Sequence, residues 1–349
     1  MLNIGIQLGP GRSPDKPEQL PGVHPAHARQ GIRMTQRPWA GIDVSSTRLD
    51  VDTFPASQPT SFAYTDQGLA DLGAWLAQHP VAGIAVEATG GYERRVVHVL
   101  QKCGHTVRVL NPRRVRRFAE AITPAKNDRI DARLIAHFAA TIAGEPAPPH
   151  QPDRAAVDEL VKLRQMLSQH HVALTNAGRL TRTAEAKALL TQQIKAVKAA
   201  IDQAADDIEA AINRSQRLHD MSELVRSMPG IGPTVAAAIV AMLPELGHLP
   251  TAKIAALVGV APFDDDSGGR SGARHIAGGR MMLRNLFYMA SLSACRYNPV
   301  MRSFHERLIA RGKPPKVALV AVMHKMIARL NAMAHTGQKW DETHQRAHA

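Results

Sequence analysis

Hydrophobic and polar positions change period several times along this chain, and those changes divide it. Residues 1–36 show no period; Pro, Gly and polar residues prevail ("GPGRSPDKPEQLPGVHP"), so the segment is expected to be a disordered extension. Met34 directly precedes the first patterned stretch and is a candidate for the true start. From Trp39 the period is two: "WAGIDVSSTRLDVDTF" reads as two strands around a Ser-Ser-Thr turn. "DLGAWLAQH" then has the spacing of an amphipathic helix. "VAGIAVEATGG" is an apolar run ended by glycines, which suits a buried central strand. A helix closed by Gly104, a strand ("HTVRVLNP") and the helix "RRVRRFAEAI" come next, then "KNDRIDARLIAHFAA", read as a further helix. Strands alternating with helices predict an α/β layer with a mixed sheet over residues 37–145.

"AGEPAPPHQP", at about 143–152, interrupts the pattern and marks a domain boundary. Between Asp153 and Met228 there is no proline and a single glycine, Gly178. Leu160, Leu163, Leu167 and Leu174, then Ile194, Val197, Ile201, Ile208 and Ile212, recur at helical steps. Residues 153–222 are therefore expected to form a helical arm, a long hairpin or coiled coil turning near Gly178. A mainly helical unit over 223–340 opens with "MPGIGPTVAAAIVAML", the pattern of a helix-hairpin-helix.

Charge changes the picture. The chain carries 43 Lys and Arg against 30 Asp and Glu, a net +13, which points to a polyanionic partner, nucleic acid before membrane. The cations cluster: Arg94 to Ala119 holds seven arginines and a lysine with no acid, and Ser267 to His305 holds six arginines and no acid. Two distant cysteines and the absence of HExxH or CxxC spacing argue against zinc and against a disulfide framework. No apolar run is of membrane-spanning length, "VALVAVM" being too short, and no secretory signal is evident. A bacterial cytoplasmic, nucleoid-associated protein is expected.

Against that basic background the acids stand out. Asp43 lies on the first strand, Glu87 closes the central strand, and Asp128 and Asp131, three residues apart, are expected on one helix face. A strand carboxylate is costly to bury unless paired or bound to a cation. Together the four suit Mg²⁺ or Mn²⁺, which take oxygen ligands and complete their shells with phosphate. Singly, each reads equally well as an ordinary acid. Asp43 could be a surface residue like Asp50 and Asp52, and Asp131 could pair with Arg133 or Lys126. Arg113, Arg114, Arg116 and Arg117 are candidates to hold the nucleic-acid backbone. Gly230 and Gly232 shape a turn that could offer backbone N–H groups to phosphate, or be a plain interhelical turn. In "FDDDSGGRSGARHIAGGR", Ser267 is a candidate nucleophile with Arg270, Arg274 and Arg280 close in sequence. A Ser-Gly turn in a polar loop is the plain alternative, and Ser271 competes for the role.

"GIDVSS", "VEATGG", "KNDRIDARLIA", the arm, "MPGIG" and "GVAP…SGG…R…GGRMMLRNLFYMAS", in this order, resemble the DEDD-type insertion-sequence transposases of the insertion sequence one-ten family, over about Trp39 to Asp341. The resemblance implies an RNase H-like (RuvC-like) N-terminal domain in which Asp43, Glu87, Asp128 and Asp131 bind metal. It also implies a C-terminal transposase domain in which Ser267 attaches covalently to DNA. It implies DNA partners (element ends and target), a homo-oligomer and, in some members, a guide RNA encoded by the element. Asn127 stands where the family usually has threonine, and Asp264, Asp265 and Asp266 precede the serine where basic or neutral residues are usual. Two other functions remain open: a resolvase-like metal-dependent endonuclease, and a non-catalytic nucleic-acid-binding relic of a transposase.

Overall fold

A computed structural model describes residues 37–122, 131–263 and 275–342. The chain separates into two compact units, Met1–Pro149 and His150–Ala349.

The first unit is a mixed α/β layer. Strands β1 (Trp39–Val44), β2 (Arg48–Phe54) and β3 (Thr60–Ala63) form an antiparallel meander. Helix α1 (Asp66–Gln78) leads to β4 (Gly83–Glu87), and α2 (Glu93–Lys102) leads to β5 (Val107–Leu110). Both later strands run parallel to β1, giving the sheet order β3-β2-β1-β4-β5. β3, only four residues long, was not foreseen, because "TSFA" is too short to show a period. Helices α3 (Pro112–Ile122) and α4 (Ala132–Thr141) complete the unit.

Alternation along the strands sorts the sheet into two unlike faces. Ala40, Ile42, Val44, Leu49, Val51, Ile84, Val86 and Val107 face one side and form a core with Leu69, Leu72, Leu76, Val96 and Leu100 of α1 and α2. The opposite positions meet α3 and α4 around a smaller cluster of Ala85, Leu110, Val115, Ile135, Phe138 and Ala139. Gly41 is required on this second face: a Cβ there would lie 2.0 Å from the Ala132 carbonyl oxygen and 2.4 Å from the Ala136 nitrogen. The missing side chain lets the first turn of α4 rest directly on β1.

The second unit is mostly helical. α5 (Pro152–Leu180) and α6 (Ala184–Asn213), of 29 and 30 residues, pack along one another through a turn at residues 181–183. The turn lies beyond Gly178, which stays helical where α5 passes Ile194. The base of this pair is not separate from the later helices. Val157, Val161, Ile208, Ala211 and Ile212 join one core with α7 (Gln216–Arg226), α8 (Pro233–Met242), α9 (Thr251–Val258), α10 (Met281–Tyr297) and α12 (Pro315–Thr336). Helix α11 (Pro299–Ala310) and the short strands β6 (Pro262–Phe263) and β7 (His275–Ile276) complete the unit.

α12 extends well past the run "VALVAVM" and, among the described residues, is the helix long and apolar enough to cross a bilayer by those measures. Its apolarity has a packing cause, since Val322, Met323, Met326, Ile327, Leu330 and Met333 are buried in the helical core.

Candidate functional site

Register fixes where two of the four predicted acids lie. β1 and β4 are parallel neighbours with Gly41 opposite Ala85 and Ile42 opposite Val86, so Asp43 and Glu87 come next, side by side at the carboxyl ends of the two central strands. Counting in twos from Gly41 and Ala85 puts both side chains on the α4 side of the sheet. The carboxyl ends of parallel strands are where open α/β sheets place ligands.

The chain beyond Glu87 is held tightly. Gly90 and Gly91 take positive φ values of 63° and 111°, and the Glu93 carboxylate at the start of α2 accepts the N–H groups of Thr89 (3.0 Å) and Gly91 (2.8 Å).

Glu87 is left with one oxygen unsatisfied among the described residues. Its Oε2 is buried and finds no hydrogen-bond partner among the described residues, which ordinarily costs about 1–3 kcal/mol. Burial, and then the neighbouring Asp43 carboxylate, hold its pKa above the usual carboxylate range; Arg116 on α3 draws it partly back. Paired carboxylates that repel each other with an oxygen left over suit a hard divalent cation. Among the described residues, no group of three His, Cys, Asp or Glu lies close enough to hold a metal. Asp128 lies outside them.

Asp131 corrects one sequence expectation. It is not inside a helix: its backbone is extended (φ −107°, ψ 165°) and its carboxylate accepts the Leu134 N–H at 2.8 Å, making it the N-cap of α4. Asp131 therefore precedes the helix interior in which it was expected, and Asp128 lies outside the described residues. Aspartate favours this position because its oxygens take the N–H groups that a first turn leaves unpaired. The cap puts Asp131 one residue from Ala132, whose carbonyl rests on Gly41, and Gly41 shares its face with Asp43.

The far end of α4 is fixed by a residue the sequence did not single out. Arg108 of β5, 5% exposed, donates to the carbonyls of Ala139 (2.8 Å) and Ile142 (2.7 Å) and lies 5.1 Å from the centroid of the Trp39 ring. These carbonyls belong to the C-terminal turn, where a cation is favoured. Gly144 leaves the guanidinium its space. An arginine inside "TVRVL" was the available signal.

Asp52 is a second correction. Expected as a surface acid like Asp50, it is buried and satisfied by Thr53 N–H (2.7 Å), Gln58 N–H (2.7 Å) and the Ser57 hydroxyl (2.9 Å), organising the turn after β2. Asp50 is the surface residue, ion-paired to Arg48 at 2.7 Å.

The predicted cations have separate fates. Arg113, Arg114, Arg116 and Arg117 are exposed on α3. Arg114 lies over the Phe138 ring and Arg116 acts on Glu87. In the helical unit, Arg280 N-caps α10 and is engaged by both oxygens of Glu245 and by the Met242 carbonyl. Gly230 has φ 108° and abuts α10, where a Cβ would lie 2.7 Å from that of Ala294. Gly232 N-caps α8 and is open around its Cα. Ser267, Ser271, Arg270, Arg274, Asn127 and Asp264–Asp266 lie outside the described residues.

Comparison with known proteins agrees along most of the chain. A transposase model of the DEDD, IS110 type matches residues 40–183, and the model described as Transposase IS116/IS110/IS902 family matches residues 222–306. The pilin gene-inverting protein of Moraxella lacunata is 26% identical over 321 residues, covering 87% of this chain and 98% of that protein. Its counterpart in Moraxella bovis matches to the same extent. The insertion element IS110 uncharacterized 43.6 kDa protein of Streptomyces coelicolor is 30% identical over 132 residues, covering 37% of this chain and 33% of that protein.

Proposed function

This chain belongs to the IS110/IS116 family of insertion-sequence transposases, and from that premise we propose that it cuts and rejoins DNA strands at a carboxylate site formed by Asp43, Glu87, Asp128 and Asp131, with Ser267 as nucleophile. The observation that carries the metal site is Glu87 Oε2, buried beside a second carboxylate without a hydrogen-bond donor among the described residues. Mg²⁺ or Mn²⁺ bound there would supply charge stabilisation to a phosphodiester oxygen. The protein's own residues do the rest. Asp43 and Glu87 present oxygens from rigid strands and the exposed arginines of α3 draw in backbone phosphates, while Asp131, at the capped start of α4, would have to approach the two strand carboxylates to complete the set. The sheet order supports an RNase H-like reading of this unit.

The Ser267 oxygen attacks the phosphorus, and the bond from phosphorus to one deoxyribose oxygen breaks. That sugar oxygen takes a proton in place of the one the serine gives up. A hydroxyl of the recipient strand then reverses the step, releasing the serine. Because two DNA ends must be joined in one reaction, the working form is a homo-oligomer.

A second outcome of the same chemistry is favoured by one finding. The relatives matched over 98% of their length are named as gene-inverting proteins, so inversion of a DNA segment between two sites is a reading of equal chemistry and different arrangement.

The test incubates the protein with its element's junction DNA, any element-encoded RNA and Mg²⁺, and looks for a protein–DNA adduct that survives denaturation. An adduct absent from Ser267→Ala is expected. Cleavage without an adduct, still requiring Glu87, would leave a resolvase-like endonuclease; binding with neither would leave a DNA-binding relic.

A further inference from the structure

The helical unit has a second concave surface, lined by none of the residues assigned to the carboxylate site. Residues of α11 and α12, together with β6 and β7, line an open groove of about 780 Å³. Its floor is apolar, made by Val260, Ile276, Val317, Val320 and Ala321. Its rim holds Lys316, Lys325 and Arg329, with His275 and His324, and none of the lining residues is acidic. Pro262 and His275, which also line it, flank the segment carrying Ser267 along the chain.

α12 accounts for this surface. One of its faces is committed to the core through Ala318, Val322, Met326 and Leu330. The other repeats Val317, Val320, Ala321, His324 and Ala328 at three- and four-residue steps and faces the groove. Val317, near the start of α12, is 53% exposed although it is a large apolar residue. Phe304 of α11 stands at the edge, with the Lys325 ammonium 4.4 Å from its ring centroid. Burial, then Arg329 and Arg307, draw the Lys325 ammonium below the usual lysine range.

We propose that this groove docks an unpaired stretch of DNA, with a base seated on the apolar floor against Phe304 and the flanking phosphates held by Lys316, Lys325 and Arg329. An aromatic ring beside cations over an apolar floor is the combination that single strands use, because each unstacked base offers an apolar face and each link a charge. A duplex offers the charge but keeps its base faces stacked inside. The space matches that of ordinary small-ligand sites, about 300–1,000 Å³, enough for one or two unstacked nucleotides. The proposal rests on the protein's acting on DNA, since strand exchange parts bases from their partners and the parted strand has to be held.

The test is fluorescence anisotropy of the full-length protein with a labelled oligodeoxythymidine, with a labelled duplex hairpin of equal charge, and with a polyglutamate peptide as competitor. Phe304→Leu and the double variant Lys316→Gln with Lys325→Gln are each expected to weaken the single strand about tenfold, and the duplex less than about threefold. Val317→Glu, at an exposed position, is expected to do the same and keeps the test open should Phe304→Leu unfold. Equal losses on strand and duplex, or no loss on either, would overturn the groove while leaving the DNA-acting reading intact. A wild-type protein that binds neither probe would overturn both. Displacement of the strand by polyglutamate from wild type, with Phe304→Leu binding the strand normally, would assign the groove to an acidic protein segment and overturn the proposal.

Discussion

The two faces of the five-stranded sheet are built from alternate residues of the same strands, yet they have little in common. The face toward α1 and α2 is mostly apolar, with Ala40, Ile42, Val44, Ile84 and Val86 each no more than 2% exposed and Thr53 as its buried polar residue. The face toward α4 carries Gly41, Asp43, Asp52, Glu87 and Arg108 at the matching positions. The first face needs a specific partner only for the Thr53 hydroxyl, which donates to the Ala56 carbonyl, and its burial supplies the stability, at about 25 cal/mol per Å² of apolar surface. The second is polar and must be satisfied group by group. Asp52 and Arg108 are satisfied, the one by a turn and the other by the end of α4. Glu87 is left with one oxygen that is not, among the described residues. One strand pair therefore holds the fold with one set of residues and carries its carboxylates with the other.

The largest effect should come from removing the unsatisfied group. Glu87→Gln is expected to lower DNA strand cleavage about 100- to 1,000-fold, the order seen when one group that stabilises developing charge is lost, without lowering stability. The pH dependence gives the sign. A folded pKa raised above the unfolded value means that the native state holds its proton more tightly. Stability is thus highest below the unfolded carboxylate value, about 4.3, and falls as pH rises toward the folded pKa. Gln cannot ionise, so in chelator at neutral pH the variant should match or exceed wild type in urea unfolding, and the difference should vanish in acid. A variant less stable than wild type at neutral pH would show that Glu87 is a structural residue like Asp52, and the contrast within this face would fail.

Next in size is the satisfied cation. Arg108→Met keeps the length of the side chain but strands the Ala139 and Ile142 carbonyls, with an expected loss of about 2–4 kcal/mol of stability, read from the midpoint of urea unfolding. Ile42→Val, on the apolar face, should cost about 0.5–1.5 kcal/mol with cleavage unchanged, and so calibrates the two sides against each other.

How much of this was legible differs between the faces for a physical reason. Period two in "WAGIDV" and "GIAVE" shows directly which residues lie together, because alternation is a local property of a strand. The pairing of Asp43 with Glu87 followed from the order of strands and helices. What Arg108 does was not legible, since its partners lie 31 and 34 residues further on and are backbone carbonyls that no side-chain pattern reveals. Gly41 carried a signal that went unused, as a glycine within a strand usually marks a close backbone approach. The core shared by the base of α5 and α6 with α8 was hidden because Leu and Ile at helical steps describe a coiled coil and a packed bundle equally well.

Asp131 is where two roles meet and where the smallest measurable difference decides between them. Its spacing from Asp128 suggested a helix interior, but an Asp just before "ARLIA" is also a start signal, and the local hydrogen bond prevailed. Asp131→Ala removes the cap and should cost about 1 kcal/mol. Asp131→Asn keeps a good capping oxygen and should cost only a few tenths. If Asp131 serves α4 alone, cleavage should follow stability, reduced slightly in Ala and preserved in Asn. If its carboxylate also contributes to the site beside Asp43 and Glu87, cleavage should collapse in both while only Ala loses stability. Asn therefore separates the two roles. An Asn variant with full cleavage would remove Asp131 from the polar face's chemistry and leave it as the cap that sets α4 on Gly41.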